Sequence, residues 1–66
     1  MKNTIRVARA EQRMTQQELA DKVDVSRQTI NAIESGKFVP STVLALKIAR
    51  EFGKAVEDIF QLEEED

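Results

Sequence analysis

Sixty-six residues suffice for one domain, and a chain this short buries only about 60% of its unfolded surface, so oligomerisation, metal or cross-links are expected to supplement the core. The absence of cysteine and histidine excludes disulfides, thiol chemistry, the usual zinc ligands and histidine-based catalytic triads. The formal charge is −2, but Glu63, Glu64, Glu65 and Asp66 form an acidic tail, and residues 1–62 hold ten basic and eight acidic groups; an anionic partner therefore stays open.

Helix-favouring residues dominate, and one proline and two glycines punctuate them into five expected helices. The first spans Thr4 to about Arg13, with Ile5 and Ala8 facing inward, and Met14 enters a turn. Thr15-Gln16-Gln17-Glu18 is a capping box that opens the second helix, whose apolar face is Leu19, Ala20 and Val23. Asp24 and Val25 make a very short connection, and Ser26 caps the third helix. Ile30 and Ile33 share one face of that helix, and Gly36 closes it. Lys37 to Pro40 is a loop in which Phe38 is expected to cover the edge of the core, the alternative being contact with the sugar-phosphate chain of a bound nucleic acid. The fourth helix, Thr42 to Phe52 behind a Ser41 cap, is apolar so broadly that it is expected to be the central helix of the bundle. Gly53 ends it, and Val56 to Phe60 forms a last short helix. Phe60-Gln61-Leu62-Glu63 alternates apolar and polar, which allows a short terminal strand against the N-terminus. Residues 63–66 are expected to be a solvated, disordered end.

Two short helices joined by so brief a turn cannot lie antiparallel and must cross steeply. Ala20 supplies the small residue such a crossing needs, and Asp24 tolerates the left-handed backbone at the turn. Ile30 and Ile33 are committed to the core, which leaves Ser26, Arg27, Gln28, Thr29, Asn31 and Ala32 on the outer side of the third helix. No acid occurs from Val25 to Ala32. Arginine bonds guanine bidentately, glutamine or asparagine bonds adenine, and threonine or alanine packs on a thymine methyl. That face therefore suits the major groove of duplex DNA.

These features resemble the phage-repressor and Cro-like (Xre-type) helix-turn-helix family over almost the whole chain. The matching stretches are Thr-Gln-Gln-Glu-Leu-Ala (15–20), Val-Ser-Arg-Gln-Thr-Ile-Asn-Ala-Ile-Glu-Ser-Gly-Lys (25–37), Pro-Ser-Thr-Val-Leu-Ala-Leu-Lys-Ile-Ala (40–49) and Glu-Asp-Ile-Phe (57–60). Asp24 departs from a frequent glycine, and Ala32 from a longer polar side chain. The resemblance implies an all-α, five-helix, lambda-repressor-like domain over residues 1–62, with the helix of residues 26–35 as the recognition helix. It also implies a structural salt bridge between Arg9 and Glu34. Phosphate contacts are expected from Gln16 at the start of the second helix, Lys37 just past the third, and Thr42 at the start of the fourth.

The expected function is a transcriptional regulator, of repressor type, that binds a palindromic operator in double-stranded DNA as a homodimer. Val56, Phe60 and Leu62 are the expected dimer interface, because the last segment offers apolar residues with little left to cover in one copy. A protein-interaction module, such as the antitoxin of a toxin–antitoxin pair, is the alternative. Scattered carboxylates and the lack of a glycine-rich phosphate loop argue against an enzyme, a metal, a cofactor or a small-molecule substrate. With no apolar run near 18 residues and no signal-peptide pattern after Met1, no membrane is expected and the location is cytoplasmic.

Overall fold

The computed structural model describes all 66 residues. They run as strand β1 (Lys2–Asn3), helices α1 (Ile5–Glu11), α2 (Gln16–Val23), α3 (Arg27–Glu34), α4 (Thr42–Glu51) and α5 (Val56–Ile59), and strand β2 (Phe60–Gln61). The strands pair antiparallel, Lys2 opposite Gln61 and Asn3 opposite Phe60, so the expected terminal strand is present. Thr4 extends this closure: its amide donates to the Ile59 carbonyl at 2.9 Å and its hydroxyl to the Asp58 carbonyl at 3.0 Å.

Local chemistry sets most helix boundaries. Thr15 accepts from the Glu18 amide while the Glu18 carboxylate accepts from the Thr15 amide, completing the capping box. Ser26 and Ser41 cap α3 and α4 by accepting from the Thr29 and Leu44 amides, both at 3.1 Å. The first helix is shorter than the Thr4–Arg13 span expected. Arg13 adopts φ +53, a left-handed stop, and the Met14 amide returns to the Arg9 carbonyl at 2.9 Å.

Every helix contributes to one core, in which Ile5, Leu19, Ile30, Ile33, Ile48 and Ile59 are the largest fully buried side chains. Three expectations need correction. Helix α4 is not central: Ile48, Ala49 and Phe52 are buried, but Val43 and Leu46 are 64% and 54% exposed. Its packing partners are α2 and α5, which leave the Val43 and Leu46 flank uncovered. Phe38 does not cover the core edge and is half-exposed, because the loop after α3 carries it outward. The acidic tail is held in a turn, not left free: the Met1 ammonium lies 3.0 Å from Asp66 and 3.4 Å from Glu63, and the Glu63 amide donates to Asp66 at 2.8 Å.

Candidate nucleic-acid interface

The connection between α2 and α3 fixes how the latter is presented. Asp24 takes φ +61, ψ +44, and both its amide and that of Val25 donate to the Ala20 carbonyl. This left-handed residue reverses the chain within one step, and Ala20 is fully buried where the two helices meet. Val25 is half-buried and packs on the core. Ile30 and Ile33 are buried, so the rest of α3 has a defined outer side.

On that side Ser26, Arg27, Gln28 and Asn31 are exposed, while Thr29 and Ala32 are half-buried. The six residues expected to read bases thus lie along one short element, but they differ in freedom. The Gln28 side chain is exposed and makes no hydrogen bond within the chain. The Ser26 hydroxyl is 3.0 Å from that of Thr29 and also serves the cap, so these two side chains hold the start of α3 as well as lining it. Lys37 and Thr42 are exposed on either side of the following loop.

Gln16, expected to contact phosphate, is half-buried, and its side chain is engaged within the chain. Its amide nitrogen donates to Asn31 Oδ1 at 3.3 Å and to Glu34 Oε1 at 3.2 Å, and its oxygen accepts from Arg27 Nη1 at 3.4 Å. Gln16 therefore bridges the start of α2 to the outer side of α3.

Behind this bridge lies the ion pair. Arg9 Nε donates to Glu34 Oε2 at 2.7 Å and Arg9 Nη2 to Oε1 at 3.1 Å, while Arg9 Nη1 reaches the Met14 carbonyl at 2.9 Å. Arg6 adds a longer contact of 3.5 Å. The Glu34 side chain is only 1% exposed. Burial pushes its pKa upward, but hydrogen bonds from Arg9 and Gln16, together with the Arg9 charge, outweigh that and leave it below the usual carboxylate range. The Glu34 hydrogen bond raises the Arg9 pKa in turn. The pair binds α1 to the end of α3 and neutralises the one acid that α3 carries.

Asn3 has a part that sequence reasoning missed. Its amide nitrogen donates 2.8 Å to the Ile33 carbonyl, which also accepts from the Gly36 amide at 3.1 Å, and its oxygen accepts from the Ile5 amide at 3.2 Å. The partners are thirty residues apart, and no local motif signals them. Phe60, expected at a dimer interface, is 7% exposed within the single chain, because the strand pairing turns it onto the core; Val56 is half-buried against the same core, and Leu62 alone of the three is open.

A family model described as Helix-turn-helix matches residues 5–59. The chain belongs to the helix-turn-helix family, in its Xre/Cro-like branch. Its relatives include the HTH-type transcriptional regulator MJ0272 of Methanocaldococcus jannaschii, 53% identical over the full length of both chains. Another is the HTH-type transcriptional regulator YgzD of Bacillus subtilis, 48% identical over the full length of both. Among solved structures, the clp gene regulator ClgR of Corynebacterium glutamicum superposes with a TM-score of 0.77 at 30% identity, over 82% of this chain and 57% of that one. The family is one of non-enzymatic regulators, and no helix here is long and apolar enough to cross a membrane.

Proposed function

We propose that this protein is a cytoplasmic transcriptional regulator, of repressor type, that reads a palindromic site in double-stranded DNA as a homodimer. The observation that carries this is the outer side of α3: exposed Arg27, Gln28 and Asn31 with no acid from Val25 to Ala32, on a helix fixed by Asp24 and the Arg9–Glu34 pair. Such a helix lies in the major groove. Arg27 is assigned to guanine, and Gln28 and Asn31 to adenine; Thr29 and Ala32 pack on thymine methyls, and Ser26 lines the same edge. Lys37, Thr42 and the start of α2 at Gln16 hold phosphates, which supply salt-dependent affinity but no sequence information.

Eight residues read few base pairs, and pairing two copies with α3 about 34 Å apart doubles the site. Selection from random duplex DNA, at one salt concentration, tests the reading with native protein and Arg27→Ala. The expected result is a palindrome with half-sites one helical turn apart, and loss of guanine preference at one position in the variant. No enrichment by the native protein would sink the DNA reading in favour of a protein partner.

A further inference from the structure

Helix α4 carries an unpartnered face. Val43 and Leu46 are more than half exposed and, with Lys47 and Arg50, line a shallow, open depression along one side of the helix. Neither cation has an acid within salt-bridge distance. A complementary pattern sits at the other end of the chain. Leu62 is 79% exposed, the most of any large apolar residue, and acids follow it directly. The Met1 ammonium ties down Glu63 and Asp66, which folds the tail into a turn and leaves Glu64 and Glu65 exposed without a cation.

We propose that the outer face of α4 receives the C-terminal segment of a second copy of this chain, Leu62 entering the depression and Glu64 and Glu65 meeting Lys47 and Arg50. An apolar patch rimmed by cations selects an apolar residue followed by acids, and this chain supplies both halves. Within one copy the tail is bound to its own N-terminus and leaves the depression open. Each copy offers one depression and one tail, so two copies that exchange tails across a twofold axis make the contact twice. Apolar area that a monomer exposes on α4 is then removed from water, with the charged rim setting partner and register. The assignment rests on the homodimer reading and replaces the expected Phe60 contact, since that side chain is already buried.

The test is sedimentation equilibrium of the full chain without DNA. A dimer is expected, with Leu62→Ser raising its Kd at least about tenfold. Leu62 is too exposed for this change to disturb the core, and circular dichroism checks the fold. Lys47→Glu with Arg50→Glu should weaken the pair by a similar factor. Adding Glu64→Lys and Glu65→Lys should restore it to within about threefold, because the ion pairs re-form with reversed sign. A native dimer indifferent to Leu62→Ser, or charge reversal without recovery, overturns the assignment while leaving the dimer intact. A chain monomeric at roughly 100 μM overturns both, since even a micromolar Kd gives mostly dimer there; the DNA-selection result stands separately.

Discussion

Helices α3 and α4 differ in how their sequences divide between inside and outside. In α3 the two isoleucines and the Glu34 side chain are buried while Arg27, Gln28 and Asn31 face solvent, so the exposed face is made of hydrogen-bonding groups. In α4 apolar residues surround the axis, and the core takes Ile48 and Ala49 while Val43 and Leu46 are left in water. Exposed polar residues on a rigid helix suit a polar ligand whose edges they can match. Exposed aliphatics with a charged rim suit another protein surface. The same small core thus displays two kinds of recognition, and substitutions on the two helices should separate them.

The largest effect is expected on the buried side of α3. Ile33→Ala should destabilise the protein by about 3–4 kcal/mol in denaturant unfolding, through lost burial and the cavity left behind. Leu46→Ala, of similar chemistry but on the exposed side of α4, should leave monomer stability within about 0.5 kcal/mol; an equal loss at both positions would abolish the contrast.

The ion pair behind α3 comes next. Arg9→Ala leaves Glu34 buried without its main partner and should cost about 3 kcal/mol. Glu34 has a depressed pKa in the folded state, so its stabilising contribution is complete above the ordinary carboxylate pKa and is lost as pH falls through the folded value. Native protein should therefore weaken more steeply in acid than Glu34→Gln, as read by urea midpoints along a pH series. Parallel curves would show that the pair does not govern the acid limb.

A smaller effect is expected on the exposed side of α3. Arg27→Ala should forfeit about 1–3 kcal/mol of discrimination at a single base pair and leave the thermal midpoint nearly unchanged. Uniform weakening on all sequences would instead mark Arg27 as a phosphate contact. Thr15→Ala should cost about 1 kcal/mol of stability by opening the capping box. At the small end, Asp24→Gly should stabilise by up to about 1 kcal/mol, because Asp24 holds a left-handed backbone that glycine adopts freely; a loss would mean that the Asp24 side chain has a role of its own.

The caps at Thr15, Ser26 and Ser41, the turn at Asp24 and the buried faces of α2 and α3 were legible in the sequence because each depends on residues within a few positions of one another. The composition of the α3 face was legible for the same reason. Gln16 was not: its three partners lie on another helix, and their approach depends on the crossing that Ala20 and Asp24 create. Asn3 likewise reaches Ile33 only after β1 has paired with β2.

Alone, then, the sequence determined the order of the helices, most of their caps and the family, since periodicity and capping are local chemistry, though not the left-handed stop at Arg13. Tertiary structure decided which parts of an ambiguous apolar surface are buried. Phe60 and Val43 are both apolar, yet strand pairing carries Phe60 onto the core while α4, covered on one side only, leaves Val43 in water. Burial depends on what packs over a residue, and in a chain of this size there is too little protein to cover every apolar side chain.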